Sequence, residues 1–77
     1  MKKFDIILCS FRQVREFVAL ARRQSFEITA GNERQNINGK DLVGMFSLDY
    51  SRPVQITAVC SEEEFSRFRT LATQIPT

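Results

Sequence analysis

The sequence of 77 residues contains no histidine, no tryptophan, a single tyrosine and two cysteines. Without an imidazole group, histidine-based acid–base catalysis, histidine metal ligation and phosphohistidine chemistry are all excluded. The cysteines stand at positions 9 and 60, which is not the paired spacing of a zinc site. With so few reactive side chains, we expect neither an enzyme nor a bound metal or cofactor.

Long apolar stretches are also absent, since no uninterrupted run approaches the roughly 20 residues that a membrane-spanning helix needs. The basic residues Lys2 and Lys3 are followed by Asp5 and by an apolar run too short for a signal peptide. We therefore expect a cytoplasmic protein with no membrane segment. Hydrophobic residues make up 43% and charged residues 26% of the chain, which is typical of one globular domain over residues 1–77.

The net charge of +2 is too small to indicate nucleic acid, but the charges are unevenly distributed. Residues 1–24 carry six basic and two acidic side chains, whereas the rest of the chain carries five basic and seven acidic ones. This basic segment is a candidate docking surface for an acidic protein partner. The plainer interpretation is a solvated helix face.

Apolar periodicity predicts seven secondary-structure elements in the order β-α-β-β-α-β-α. The strands are predicted at residues 4–9, 26–30, 34–38 and 54–58. The helices are predicted at residues 10–23, 41–48 and 61–75. Ser10, Asp41 and Ser61 are the expected N-caps, and Ser61 with Glu64 forms a capping box.

Each predicted strand has one apolar face and each long helix has one apolar stripe, so the helices should cover one face of a single sheet. Right-handed crossovers and a hairpin between the second and third strands make interleaved neighbours antiparallel. The predicted fold is an α+β two-layer open-faced sandwich. All seven phenylalanines are expected in the core, including Phe11 of the first helix, and so is Leu71 of the last helix.

A four-stranded α/β sandwich can also be an RNA-binding module, which needs aromatic or basic side chains on the open face of its sheet. The positions predicted to face outward are Asp5, Ile7, Glu27, Thr29, Gln55, Thr57 and Val59. None of them is aromatic or basic, so we expect no nucleic-acid partner.

Cys9 lies just before the first predicted helix and near Arg12, a setting that favours reactive thiols. Without histidine, however, no ordinary base completes a cysteine nucleophile. A small buried side chain at the end of a strand is the favoured interpretation. A disulfide with Cys60 is not expected, because the two residues would end antiparallel strands and lie at opposite ends of the sheet.

The sequence Ile-Asn-Gly-Lys-Asp at residues 37–41, with the short apolar segment up to residue 48, resembles the HPr family. These are the histidine-containing phosphocarrier proteins of the bacterial sugar phosphotransferase system. Residues 17–19, 26–29 and 54–64 extend the likeness over nearly the whole chain. The resemblance implies the sheet order 1-4-2-3 with three helices on one face. It also implies partners among phosphotransferase-system or transcriptional-regulator proteins.

The phosphorylated histidine of the family falls on Ser10, the arginine of its phosphate site on Arg12, and a proline on Gln13. A helix N-terminus still offers N–H groups to an anion there. A serine, however, would form a stable phosphate ester, which is useless as a high-energy carrier. The resemblance therefore implies a divergent member without the carrier chemistry.

A second family site is a serine that is phosphorylated for regulation, and its position here is Asp41. Asp41 either mimics the charge of a phosphoserine or only caps a helix. In the family this region meets protein partners, and Arg15, Phe46 and Ser47 would belong to that surface here. The favoured function is an interaction or regulatory module related to the sugar phosphotransferase system. The alternative is a phosphocarrier-type protein that acts through Ser10 or Asp41.

Overall fold

The computed structural model describes residues 1–32 and 34–76. Its strands are β1 (Lys2–Ile6), β2 (Ile28–Gly31), β3 (Asn36–Asn38) and β4 (Val54–Ala58). Its helices are α1 (Phe11–Arg22), α2 (Leu42–Met45) and α3 (Glu62–Thr73). The predicted element order is confirmed.

The strands form one antiparallel sheet in the order β1-β4-β2-β3, as expected from the resemblance. One row of opposed residues crosses all four strands and shows how the sheet contributes to the core. Ile56 of β4 lies opposite Phe4 of β1 and Ala30 of β2, and Ala30 lies opposite Ile37 of β3. All four belong to the apolar core or pack against it.

The three helices cover one face of this sheet, and aromatic rings fill the space between the layers. The ring of Phe68 in α3 meets those of Phe4, Phe17 and Phe26 edge-on, at centroid distances of 6.0, 5.9 and 5.9 Å. Such pairs add about 0.5–1.5 kcal/mol each beyond the burial of apolar area. The α+β two-layer open-faced sandwich is therefore confirmed.

Each helix begins at the residue that the sequence predicts as its cap. Ser10 Oγ accepts a hydrogen bond from the backbone N–H of Gln13, and Asp41 Oδ1 accepts one from Gly44, both at 3.2 Å. Ser61 Oγ accepts from the N–H of Glu64, whose carboxylate accepts from the N–H of Ser61. The predicted capping box is thus confirmed, and it satisfies donors that the first turn would otherwise leave unpaired.

The ends of the strands differ from the prediction. β1 covers residues 2–6 instead of 4–9, so Lys3 belongs to the sheet and lies opposite Thr57 on its uncovered face. The expectation that this face carries no basic side chain is therefore wrong. Apolar alternation does not show where pairing begins, because a strand starting at two lysines carries no apolar signal there. β2 and β3 each begin two residues later than predicted.

Cys9 is exposed, so the prediction that it is a buried side chain is also wrong. Because β1 already ends at Ile6, the chain leaves the sheet before it reaches this cysteine. Both cysteines are free, as predicted. Cys60 lies near Lys2 at the start of β1, and burial raises the pKa of its thiol, with a smaller contribution from the carboxylate of Glu64.

Two apolar residues that were predicted in the core are exposed. Phe11 is 66% exposed, because the first residue of α1 stacks on Phe46 instead of joining the core cluster. Leu71 is 48% exposed, because the buried face of α3 runs through Phe68 and Ala72. The other phenylalanines are buried or partly buried, as expected.

The longest helices in the described ranges, α1 and α3, have 12 residues each. No helix in residues 1–32 or 34–76 is long and apolar enough to cross a membrane.

Tyr50 ties the loop after α2 back to that helix. Its hydroxyl donates a hydrogen bond to the backbone carbonyl of Met45, and burial raises the pKa of its phenol to about 12. The fold therefore favours the neutral phenol, which keeps the donated proton, over the phenolate.

Replacement of Tyr50 by Phe should make the protein about 1 kcal/mol less stable near neutral pH, because the hydrogen bond to Met45 is lost. The stabilisation from the neutral phenol is complete below pH 10.0, the ordinary pKa, and decreases as the pH rises towards about 12. Urea unfolding at pH about 8 and about 11 should therefore show the two proteins converging. Since Tyr50 is the single tyrosine, tyrosinate absorbance reports it directly, and titration near pH 10 in the folded protein would contradict the assignment.

Candidate functional site

α1 and α2 lie side by side, and two contacts fix their relative direction. The ring of Phe11, at the start of α1, stacks on that of Phe46, at the end of α2, with centroids 4.1 Å apart and planes inclined by 18°. Arg22, at the end of α1, donates from Nε to the carbonyl of Lys40, just before α2, at 2.8 Å. The helices therefore run roughly antiparallel. We use the name α1–α2 surface for a set of residues of these two helices and their ends, all exposed except the partly buried Phe46: Ser10, Phe11, Arg12, Arg15, Asp41, Val43, Phe46 and Ser47.

The helical repeat places Arg15 on the α1–α2 surface. Phe11 and Arg22 both contact the α2 region, and Arg15 lies one turn after Phe11 on the same face of α1. Arg12 is its neighbour on the adjacent face, and both side chains are exposed. The single ion pair found in residues 1–32 and 34–76 joins Lys2 to Glu62 at 3.3 Å. Neither Arg12 nor Arg15 therefore forms an ion pair with a carboxylate in this part of the chain.

Ser10 occupies an exposed position at the N-terminus of α1, with its hydroxyl oxygen engaged as the helix cap. Its carbonyl accepts the N–H of Val14 at 3.2 Å. Among the described residues, the N–H groups of Phe11 and Arg12 have no protein acceptor. Ser10 thus serves the helix, and two backbone donors of the first turn stay open to solvent.

Gln13 is a residue of this region to which the sequence analysis gave no role. Its Oε1 accepts the backbone N–H of Cys9 at 2.6 Å, and its side chain is buried. The signal was present as Ser-x-x-Gln at residues 10–13, which is the capping-box pattern. Here the glutamine side chain bonds one residue further back than in a standard box, to Cys9 instead of Ser10.

Asp41 lies at the other end of the α1–α2 surface. Its exposed carboxylate caps α2, and a side-chain carbon added at Gly44 would come within 2.8 Å of both Asp41 Oδ2 and Ile37. Gly44 is thus needed for this close approach. Because Asp41 neighbours the Lys40 carbonyl that meets the end of α1, it lies at the opposite end of α1 from Ser10.

Hydrogen bonds of Lys40 and Arg22 hold the two helices together. Lys40 Nζ donates to the carbonyl of Gln24 at 2.8 Å, while its own carbonyl accepts from Arg22. At the opposite end of α2, Ser47 Oγ donates to the carbonyl of Gly44 at 2.6 Å. The charged side chains of Arg22 and Lys40 are therefore engaged in hydrogen bonds between the two helices. Those of Arg12 and Arg15 are available to a partner.

The α1–α2 surface combines exposed apolar groups with these charges. Val43 of α2 is 81% exposed and Phe11 is 66% exposed, while Phe46 is partly buried beneath the ring stack. In the described ranges, no group of three or more His, Cys, Asp or Glu side chains is arranged to hold a metal ion. The chemistry that this surface offers is therefore apolar contact, arginine donors and one carboxylate.

No model of a known protein family matches the chain, and no curated protein matches it. Solved structures do match. HPr-C-His from Thermoanaerobacter tengcongensis is 25% identical with a TM-score of 0.75, over 96% of this chain and 92% of that one. The catabolite repression protein Crh of Bacillus subtilis, solved as an intertwined dimer with a swapped domain, is 18% identical with a TM-score of 0.65, over 100% and 97%.

The match to HPr-C-His and the observed sheet order agree with the resemblance that residues 37–48 carry in the sequence. The match to Crh shows the same fold. The chain therefore has the fold of the HPr family and is similar to one of its proteins over nearly its whole length, while its own sequence contains no histidine.

Proposed function

We propose that this protein is a cytoplasmic, non-catalytic interaction or regulatory module that binds a protein partner through the α1–α2 surface. The observation that carries the proposal is the exposed Phe11–Phe46 ring stack beside arginines that lack an ion-pair partner in the described ranges. Aromatic residues and arginine are enriched at the centres of protein interfaces, where they contribute most of the binding energy. The match to HPr-C-His supports partners from the sugar phosphotransferase system or its regulation.

The loss of carrier chemistry follows from Ser10. A phosphoryl group on a serine oxygen is a stable ester, whereas a phosphocarrier must hand the group on. The Ser10 oxygen also accepts the N–H of Gln13, so phosphorylation of this hydroxyl would compete with the cap of α1. Ser10 is therefore better suited to starting the helix than to carrying phosphate.

The apolar part of the surface argues for protein binding. Stacking covers one face of the Phe11 ring and leaves the other face to solvent, and Val43 adds a second exposed apolar group from α2. Burying such side chains against a partner releases about 25 cal/mol for each Å² of apolar area. A partner would thus bury the apolar side chains of the α1–α2 surface that the protein's own core leaves exposed.

The charges define the kind of partner. Arg12 and Arg15 stand beside the apolar groups and present planar donors that match carboxylates. An acidic partner would be attracted over about the Debye length of 8–10 Å and oriented before contact. Asp41, about a helix length away, would act separately as a phosphoserine-like anion or as a cap alone.

Incubation with phosphoenolpyruvate and the general phosphotransferase enzyme should leave the protein without acid-labile phosphate, because it has no histidine. Intact mass spectrometry measures this directly, and an HPr that carries the histidine is the positive control. Stoichiometric labelling, mapped to Ser10 or Asp41, would instead support a phosphocarrier-type function.

Reversal of charge at Arg15 should slow association with the native partner. The partner is first isolated from the cytoplasm of the source cell, and its association rate is then measured at several salt concentrations. Arg15→Glu should lower the rate most at low salt, since long-range attraction is screened by ions. Arg67→Glu, on the exposed side of α3, makes the same change elsewhere and should have little effect. Equal rates for both variants would exclude the α1–α2 surface as the docking site.

The charge and the capping role of Asp41 can be separated. Asp41→Ser and Asp41→Asn both keep a good N-cap, so stability should change by only a few tenths of a kcal/mol. If a partner reads the anion in a buried contact, both variants should bind about 1–3 kcal/mol more weakly. Isothermal titration measures the binding and urea unfolding the stability. Unchanged binding of both variants would show that Asp41 is a cap alone.

A further inference from the structure

Gln13 is the single polar residue that is buried among the described residues, with 4% of its surface exposed. Because its Oε1 must accept the N–H of Cys9, the orientation of the amide is fixed and Nε2 is directed elsewhere. No acceptor among the described residues takes a hydrogen from Nε2, and Gln13 forms part of the wall of a cavity. A nearly buried amide donor with no acceptor in the described residues therefore lies beside a cavity.

This cavity has a volume of about 240 Å³ and lies between the end of β1, the first turn of α1 and the end of α3. Its walls include the four consecutive residues 5–8. Residues 5 and 6 end β1 and residues 7 and 8 follow it, so the cavity lies at the end of this strand. Ala72 and Ile75 add apolar groups from the end of α3.

β1 is the outermost strand on its side of the sheet and pairs with β4 alone. Its outward backbone N–H and C=O groups have no backbone partner in the described part of the chain. An open strand edge offers alternating donors and acceptors, which match the backbone of an extended peptide. The Gln13 amide adds one more donor at the cavity end of this edge.

Charges along β1 indicate which peptide fits. Lys3 and Asp5 are exposed on the same face of the sheet, and neither has an ion-pair partner in residues 1–32 and 34–76. A strand antiparallel to β1 passes the cavity first, then Asp5, then Lys3. Directly opposed residues interact most strongly, so the matching order is an apolar residue, then a base, then an acid two residues later.

We propose that the edge of β1 binds an extended peptide segment as an added antiparallel strand. An apolar side chain of the segment enters the cavity, and a backbone carbonyl accepts from Gln13 Nε2. The base and the acid that follow lie opposite Asp5 and Lys3. This site is separate from the α1–α2 surface and does not depend on the function proposed for it.

The probe is the blocked peptide Thr-Leu-Lys-Val-Glu-Thr, added to isotope-labelled protein and followed by NMR. The side-chain NH₂ signals of Gln13 and the backbone amides of β1 should shift and saturate at millimolar peptide, and the outward amides of β1 should exchange more slowly. Gln24 is the internal control, because its Nε2 already donates to the carbonyl of Leu20 at 3.1 Å. Its signals should not move.

The control peptide Thr-Leu-Glu-Val-Lys-Thr has the same composition with its charges exchanged, and it should bind about three- to tenfold more weakly. Gln13→Glu keeps an oxygen for Cys9 but removes the donor, so it should weaken binding about fivefold or more. If that variant does not fold, slowed amide exchange in the wild-type protein decides the question.

Three results would overturn the proposal. The first is no movement of the Gln13 signals at millimolar peptide, and the second is equal binding of the two peptides. The third is a shift of the β1 and Gln13 signals with protein concentration alone, which would mean that a second copy of the chain occupies the edge.

Discussion

The burial of Phe68 between α3 and the sheet is the contact on which the rest of the structure depends. Its ring contacts Phe4 of β1, Phe17 of α1 and Phe26 before β2. This one side chain therefore connects β1, α1 and the segment before β2 to α3. Removal of such a ring costs about 3–5 kcal/mol, which is comparable to the whole stability of a small domain. Because Phe17 must face this cluster, the rotation of α1 is fixed. Phe11 and Arg15 are then directed towards α2 and solvent, where they form the α1–α2 surface.

Most of the fold could be predicted from the sequence because its signals are local and repeated. Ser61 and Glu64 show the start of α3, and the alternation of Val54, Ile56 and Ala58 shows β4 with its buried face. The limits of β1 could not be predicted in this way. Lys3 enters the sheet because Lys2 pairs with Ala58. Polar residues that take part in such pairing between distant segments show no apolar pattern in the sequence.

The candidate site was predictable only in part, for a different physical reason. The family resemblance indicated Ser10 and Asp41, and both are exposed helix caps in the structure. Phe11 was expected in the core because it has the spacing of the buried stripe. Helical spacing defines a direction around the axis but not whether another element covers that turn. The Phe11 ring is covered by the Phe46 ring alone, so Phe11 stays largely exposed to solvent.

The first turn of α1 is stabilised by hydrogen bonds of its own side chains. Ser10, which the resemblance aligns with the family's histidine, accepts the N–H of Gln13. Gln13, which the resemblance aligns with a proline that has no N–H, supplies that donor, and its Oε1 accepts the N–H of Cys9. Gln13 therefore takes part in two hydrogen bonds of this turn, as a backbone donor to Ser10 and as a side-chain acceptor from Cys9. One N–H donor of the turn is used inside the protein, so fewer remain for an anion, and Gln13 also lines the cavity at the end of β1.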